Sequence, residues 1–198
     1  MPGTQDRRKR LVRAGVRAAR SEMTASERSA AGTALTERLA ALVSQRGARR
    51  IACYLPLPTE PDTRGFLRWA GAKGIEVLLP SARPDGLLDW IVDGDEGTVA
   101  GAFGIPEPVG EHLSPLAVGE VDLMLIPACA VDLRGVRLGW GRGYFDRSLA
   151  SMARRPPVFA VVHESELVDE LPFEPHDVPV DGAVTPARIV DFAGAGLG

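Results

Sequence analysis

Residues 137–147, RLGWGRGYFDR, place three glycines at alternate positions among arginines, aromatic side chains and one carboxylate. Glycine costs roughly 0.5–1 kcal/mol more to order than alanine inside a regular element, so such a cluster is typical of a loop with a special backbone requirement. A glycine-rich turn ahead of a helix can direct several backbone N–H groups at phosphate oxygens. Arg137, Arg142 and Arg147 can add charge-assisted hydrogen bonds. The segment therefore indicates a phosphate site.

Asp146 is the exception in this basic segment. A carboxylate would repel a bound phosphate unless a cation lay between them, which predicts Mg²⁺. The segment is not a Walker A loop, because no Gly-Lys-Ser/Thr follows, and it is not a dinucleotide fingerprint, whose glycines directly follow the first strand of a βαβ unit. On these residues alone, Asp146 and Arg147 could also be simple first-turn charges of a helix.

The elements around this segment alternate between helical and strand patterns, which predicts an α/β fold. Near-continuous apolar strands favour a mostly parallel or mixed central sheet flanked by helices, with an N-terminal helical pair. Thr24 and Glu27 form a candidate capping box for the second helix. The strongest strand pattern lies in 121–132, and the strand is expected to end near Pro127, about ten residues before the glycine segment. Ligands of open α/β sheets bind at the carboxyl ends of strands. The predicted helices are 6–20, 24–47, 62–74 and 144–153, the predicted strands are 50–57, 75–80, 87–93, 121–132, 157–163 and 187–192, and the predicted long loops are 94–119 and 172–186.

The charge of the chain is unevenly distributed. The 198 residues suit one domain, 1–198, with 45% apolar and 25% charged residues and a net charge of −3. Residues 1–20 carry seven basic side chains and one acidic one, whereas the rest of the chain carries 16 basic and 25 acidic ones. A basic helix on an acidic body either docks there or serves an anionic ligand. This balance argues against general nucleic-acid binding.

Cysteine usage and the lack of long apolar runs favour a cytoplasmic protein. Cys53 and Cys129 each lie in an apolar segment, as reduced core cysteines do, and no Cys/His spacing suggests zinc. No run is apolar enough for a secretory signal or a membrane span. With no apolar heptad repeat, a monomer is expected.

Residues 132–149, DLRGVRLGWGRGYFDRSL, closely resemble the G-x-R-L-G-x-G-x-G-Y-Y-D-R signature of 5-formyltetrahydrofolate cyclo-ligases, also called methenyltetrahydrofolate synthetases. Four further segments resemble the family in the same order, and together the matches span residues 9–181. They are KRLVR (9–13), CYLPLPTEPDT (53–63), GIPEP (104–108) and HDVPVD (176–181).

The resemblance implies an ATP- and Mg²⁺-dependent enzyme that converts 5-formyltetrahydrofolate to 5,10-methenyltetrahydrofolate and releases ADP and phosphate. A formamide oxygen is a poor leaving group, so its phosphorylation creates an electrophilic iminium phosphate that the second folate nitrogen attacks. Phosphoryl transfer depends on positioning and charge neutralisation more than on covalent catalysis. A basic, glycine-rich site without a nucleophilic triad suits that chemistry.

The resemblance also assigns the phosphate side of the site. Lys9 and Arg13, four residues apart on one helical face, are expected to reach the ATP phosphates. Asp146 and Asp177 are expected to hold Mg²⁺ between them. Arg142 and Tyr144 are the candidate catalytic residues. The full candidate ATP-binding set is Lys9, Arg13, Arg137, Leu138, Gly139, Trp140, Gly141, Arg142, Gly143, Tyr144 and Phe145.

The folate side is assigned in the same way. Leu55 and Glu60 are expected to line the folate pocket, with Glu107, Trp140 and Tyr144 as further candidates. A carboxylate such as that of Glu60 can accept paired hydrogen bonds from the amino and ring N–H groups of a pterin.

Two residues depart from the family pattern. Phe145 replaces the second tyrosine, so no hydroxyl there can be essential to an active enzyme. Arg142 replaces a common lysine, which keeps the charge and changes its geometry.

Two other functions fit parts of the sequence. A single-stranded nucleic-acid binder would use the basic helix and the aromatic RGYF stretch, but the acidic body and the 6% aromatic content oppose it. A nucleotide-binding relative without folate chemistry is the second alternative, which the presence of Glu60 and Asp177 opposes. The expected partners are therefore the small molecules ATP and 5-formyltetrahydrofolate, with no nucleic acid and no membrane.

Overall fold

The computed structural model describes residues 4–94, 97–100, 106–174 and 177–192. Its α-helices begin with the predicted N-terminal pair. They are α1 (Thr4–Glu22), α2 (Ala25–Arg46), α3 (Arg64–Ala72) and α4 (Tyr144–Ser151), with 3-10 helices at Pro115–Glu120 and Glu164–Glu166. The Thr24–Glu27 capping box is confirmed, since the Thr24 hydroxyl accepts the Glu27 N–H at 3.2 Å and the Glu27 carboxylate accepts the Thr24 N–H at 2.7 Å.

Thirteen strands occur in the described ranges and form three sheets. They are β1 (Arg50–Ala52), β2 (Glu76–Ala82), β3 (Leu88–Val92), β4 (Thr98–Ala100), β5 (Pro106–Pro108), β6 (His112–Leu113), β7 (Leu123–Pro127), β8 (Ala130–Asp132), β9 (Arg137–Leu138), β10 (Val158–Val161), β11 (Leu167–Val168), β12 (Gly182–Val184) and β13 (Ile189–Asp191).

The main sheet has eight strands in the order β13-β12-β10-β7-β1-β2-β3-β6. Its central strands β12, β10, β7, β1 and β2 run parallel, whereas β13, β3 and β6 are antiparallel additions at the edges. The prediction of a mostly parallel or mixed sheet in an α/β fold is confirmed. Because parallel central strands are covered on both faces, they carry the continuous apolar runs seen in the sequence.

The segment 121–132 predicted as one strand forms two strands, β7 and β8, whereas the predicted end of the main strand near Pro127 is confirmed. The chain leaves the main sheet after Pro127, because proline has no N–H with which to continue the ladder. It then enters a three-stranded sheet, β11-β8-β9, where the Cys129 N–H donates to the Leu138 carbonyl at 2.8 Å. This break brings the end of β7 and the start of the glycine segment to one place.

The predicted long loops are also partly wrong. The stretch 94–119 contains β4, β5, β6 and most of the 3-10 helix Pro115–Glu120, and 172–186 contains β12. These strands have two or three residues each, and Pro106 and Pro108 frame β5, so no alternation of apolar and polar residues marks them.

Apolar residues pack on both faces of the main sheet. Leu39 of α2 and Phe66 of α3 belong to the cluster on one face. Trp90 of β3 and Leu149 of α4 belong to the cluster on the other face. A third cluster around Cys129 and Leu138 lies under α1, against Val12, Val16 and Trp140. Both cysteines are buried thiols. In the described ranges, no helix combines the length and the apolar character that a membrane crossing requires.

Candidate active site

A cavity of about 200 Å³ opens at the carboxyl ends of β1, β2 and β7, where open α/β sheets bind ligands. One wall follows β1, and the other is the glycine segment between β9 and α4. The lining residues are Tyr54, Leu55, Leu57, Glu60, Pro80, Ala82, Leu88, Glu107, Pro127, Arg137, Gly139, Trp140, Arg142, Gly143, Tyr144, Phe145 and Asp146.

The glycines of the segment meet specific backbone requirements. Gly141 and Gly143 have φ angles of +97° and +69°, in the left-handed region that side chains disfavour. Gly139 lies so close to Arg137 that an added Cβ would come within 3.0 Å of the guanidinium Nη1. Gly143 is the N-cap of α4, so the unpaired N–H groups of the first helical turn lie beside the cavity. The cluster is therefore a tight turn leading into a helix, as its composition predicts.

A salt bridge between Arg137 and Asp146 stabilises this turn. The Arg137 side chain is 2% exposed, and its Nη1 also donates to the Pro127 carbonyl at 3.3 Å. The Asp146 side chain is 31% exposed and lines the cavity. The carboxylate that looked anomalous in a basic segment is thus paired with a buried cation and still reaches the pocket.

The opposite wall carries Glu60 without a salt-bridge partner in the described part of the chain. The Leu57 N–H donates to its carboxylate at 3.0 Å, and the neighbouring Tyr54 hydroxyl donates to the Pro61 carbonyl at 3.1 Å. Burial raises the pKa of Glu60, and the Leu57 N–H and the charge of Arg20 only partly offset that effect. Glu60 is therefore a desolvated carboxylate with oxygen lone pairs available to a ligand.

Helix α1 lies against the glycine segment from outside the cavity. The Arg13 Nε donates to the Gly139 carbonyl at 2.8 Å. Lys9 is buried, and its Nζ lies 2.6 Å from Glu174 and 2.8 Å from Asp177. Most of the residues predicted for the site line one cavity, whereas Lys9, Arg13, Leu138, Gly141 and Asp177 do not line it. The contacts predicted for Lys9 and Arg13 with phosphates stay predictions.

The predicted Mg²⁺ ligands contact different cations. Asp146 pairs with Arg137, and Asp177 pairs with Lys9. No cluster of three or more His, Cys, Asp or Glu side chains suited to a metal occurs in the described ranges. Mg²⁺ usually takes one or two carboxylates together with substrate phosphates, and a partly exposed Asp146 beside a basic loop fits that mode.

Sequence reasoning missed the contributions of β2 and β3 to the site. Pro80, Ala82 and Leu88 line the cavity, but apolar strand ends carry no chemical signal in the sequence. Arg147 contributes more than the charge that the sequence indicates. Its Nε donates to the Gly86 carbonyl and its Nη2 to the Arg142 carbonyl, both at 2.8 Å, so it joins the β2–β3 turn to the glycine segment.

Residues 5–186 match the 5-formyltetrahydrofolate cyclo-ligase family. The 5-formyltetrahydrofolate cyclo-ligase of Mycolicibacterium smegmatis is 41% identical over 145 residues, covering 71% of this chain and 75% of that protein. The cyclo-ligase of Haemophilus influenzae is 29% identical over 178 residues, covering 87% and 95%.

Solved structures show the same fold. The 5,10-methenyltetrahydrofolate synthetase of Aquifex aeolicus superimposes with a TM-score of 0.79 at 28% identity, covering 93% of this chain and 92% of that one. A synthetase from Mycoplasma pneumoniae, 23% identical, has a TM-score of 0.71 over 90% of this chain and 98% of its own.

Proposed function

The chain belongs to the 5-formyltetrahydrofolate cyclo-ligase family, and on that premise we propose that it converts 5-formyltetrahydrofolate to 5,10-methenyltetrahydrofolate. The proposed reaction consumes ATP, requires Mg²⁺ and releases ADP and phosphate. The observation that supports the proposal is one cavity that is lined by residues predicted for the folate side and by residues predicted for the phosphate side. Leu55 and Glu60 lie on one side, and Arg142, Gly143 and Asp146 lie on the other.

The two walls suit two reactants. The desolvated carboxylate of Glu60 can accept two N–H donors from one edge of a pterin. The glycine segment offers the free N–H groups of the α4 N-terminus, together with Arg142, to the phosphates of ATP. A cavity between them would hold the formyl oxygen next to the γ-phosphate.

The proposed reaction has two steps. The formyl oxygen attacks the γ-phosphorus of ATP, the bond to the bridging oxygen breaks, and ADP leaves. This gives an iminium phosphate at the formyl carbon. The second folate nitrogen then attacks that carbon and loses its proton to the departing phosphate or to solvent, and the carbon–oxygen bond breaks to release phosphate and leave the methenyl bridge.

Charge neutralisation is the main task of the protein groups in these steps. Arg142 and the α4 N–H groups stabilise charge on the transferred phosphoryl group, and the Tyr144 hydroxyl donates a hydrogen bond beside them. Asp146, with Asp177 as a second ligand, would hold Mg²⁺, which supplies neutralisation of the nucleotide phosphates. Lys9 and Arg13 would add positive charge from α1, Lys9 by exchanging its carboxylate partners for phosphate oxygens. The enzyme would act as a cytoplasmic monomer on small molecules.

Product formation tests the proposal directly. Purified protein is mixed with 5-formyltetrahydrofolate and Mg²⁺, with and without ATP, and the near-ultraviolet absorbance of the methenyl product is followed together with ADP release. We expect an ATP-dependent rise with one ADP per product, strongly reduced in Asp146→Asn. The exposed Asp169→Asn is the matched control and should behave as the unaltered chain. Tight ATP binding without product would refute the folate assignment.

A further inference from the structure

The indole ring of Trp140 is held by two arginines of α1. The Arg20 guanidinium carbon lies 4.9 Å from the ring centroid, and that of Arg17 lies 5.3 Å away. Both distances are within the range of cation–π attraction. Val12 and Val16 of the same helix pack against the same buried cluster as the ring, around Cys129 and Leu138. One side of α1 therefore fixes Trp140, which lines the cavity.

Arg20 is itself held rigidly. Its Nε and Nη2 donate to the two carboxylate oxygens of Glu166 at 2.6 and 2.8 Å, and Nη2 also donates to the Ala128 carbonyl at 3.0 Å. The two side chains are only 2% and 4% exposed. The Glu166 carboxylate also accepts the His163 N–H at 2.8 Å. A buried, bidentate pair of this kind fixes geometry more than it adds stability.

The indole ring of Trp140 influences the carboxyl group of Glu60. The indole N–H of Trp140 is buried, and within the described ranges no acceptor meets the distance and angle of a hydrogen bond to it. Together with the charge of Arg20, it nevertheless favours the ionised form of the Glu60 carboxyl and so lowers its pKa against the larger effect of burial. Trp140 and Glu60 line the same cavity, so the position of the ring affects the carboxylate that would receive the pterin.

We propose that Arg17 and Arg20 are positioning residues that hold Trp140 beside Glu60, so that helix α1 sets the affinity of the enzyme for its folate substrate. The inference rests on the proposed function and extends it, because sequence reasoning gave α1 a role toward ATP only, through Lys9 and Arg13. Arg17 and Arg20 touch neither reactant in this proposal.

Arg17 offers the cleaner test, because its side chain is exposed and its substitution does not remove a buried charge. We expect Arg17→Gln to raise the KM for 5-formyltetrahydrofolate about 2- to 5-fold, the effect of losing an exposed cation–π contact, with kcat and the KM for ATP unchanged. Arg17→Lys keeps the cation and should restore most of the affinity. Arg8→Gln is the matched control, since Arg8 is exposed on the opposite side of α1 and loses the same charge.

A double-mutant cycle shows whether Arg17 acts through the ring. In a Trp140→Leu background, Arg17→Gln should have no further effect on the folate KM. The conservative Arg20→Lys keeps a charge opposite Glu166 and should raise the same KM without changing the KM for ATP.

The inference is overturned if Arg17→Gln matches Arg8→Gln, if its effect persists unchanged with Trp140→Leu, or if the KM for ATP rises instead. Each of these outcomes requires an unaltered chain that forms the methenyl product. An unaltered chain without that activity would refute the proposed function itself, so the two failures are distinguishable.

Discussion

The two walls of the cavity treat the carboxylates of Asp146 and Glu60 in opposite ways. Asp146 on the glycine wall is paired with Arg137, a buried cation. Glu60 on the facing wall has a backbone N–H at 3.0 Å and no salt bridge within the described part of the chain, and burial raises its pKa. One carboxylate helps to stabilise the fold around it, whereas the other is held at a cost to the fold.

This difference indicates which carboxylate is kept for a ligand. An ion pair satisfied within the protein has less to gain from a neutral ligand, but an unpaired desolvated carboxylate gains strongly from N–H donors. Glu60 therefore suits the pterin edge, and the Arg137–Asp146 pair suits a site whose ligand is a cation bound to phosphates. Substitutions on each wall in turn test whether the two carboxylates serve different ligands.

The largest effect is expected on the glycine wall. Asp146→Asn leaves the Arg137 guanidinium buried without its countercharge and removes the proposed metal ligand. We expect turnover to fall by about 10²–10³-fold, and stability to fall by about 1–3 kcal/mol. Steady-state kinetics and chemical denaturation measure the two effects, with Asp169→Asn as the control. Unchanged turnover at saturating Mg²⁺ would contradict the role given to Asp146.

Glu60→Gln is expected to act on the folate side alone. The loss of charge-assisted hydrogen bonds should raise the KM for 5-formyltetrahydrofolate about 10- to 100-fold, while the KM for ATP stays unchanged. Initial rates with each substrate varied in turn provide the measurement. Equal increases in both constants would mean that the two walls do not serve separate reactants.

The raised pKa of Glu60 predicts a pH dependence of both activity and stability. Below that pKa the carboxyl is protonated, so kcat/KM for 5-formyltetrahydrofolate at saturating ATP should fall up to about tenfold for each pH unit, a limb that Glu60→Gln lacks. Stability has the opposite trend. The pKa of Glu60 in the folded protein lies above the ordinary value of 4.5, so the folded state favours the protonated carboxyl. The protein is therefore more stable at low pH, and it loses that stability as the pH rises through the folded-state pKa.

Thermal unfolding measures this second trend. At neutral pH the Glu60→Gln variant should unfold at a higher temperature than the unaltered chain, and the difference should disappear on acidification. A variant that is less stable at neutral pH would show that the Glu60 carboxylate is compensated after all. The rise should be small beside the loss expected for Asp146→Asn.

Arg13→Gln is expected to have a smaller effect on turnover and binding than the Asp146 and Glu60 substitutions. Its guanidinium holds the Gly139 carbonyl at 2.8 Å, so its loss loosens the glycine wall and should raise the KM for ATP about 3- to 10-fold. The KM for 5-formyltetrahydrofolate should stay constant. Arg8→Gln controls for the lost charge on α1, and an ATP KM equal to that control would remove Arg13 from the site.

Local features of the site were predictable from the sequence because local physics decides them. Gly141 and Gly143 adopt positive φ where the chain turns into α4, and the Thr24–Glu27 capping box forms as the residue types require. The family signature brought residues 53–63 and 137–147 into one expected site, and the cavity holds residues from both segments.

The remaining features depend on contacts between distant residues. Lys9 meets Asp177 across 168 positions and Arg20 meets Glu166 across 146, and neither pairing leaves a periodic or local signal. The sequence indicates the end of the main strand near Pro127, but not the separate strand β8, because the apolar pattern continues through the break while the hydrogen-bond partner changes. Charge asymmetry predicted that α1 docks or serves an anion, but it could not identify the docking groups.

The polar attachment of α1 also has a consequence for the synthesis of the protein. The ribosome makes the residues of α1 before their partners, since Glu166, Glu174 and Asp177 follow them by 146, 165 and 168 positions. During translation, this basic helix is therefore complete long before its acidic partners exist. The ion pairs that anchor Lys9 and Arg20 can therefore form only after nearly the whole chain has been made, whereas the Arg13–Gly139 contact needs only the residues up to 139.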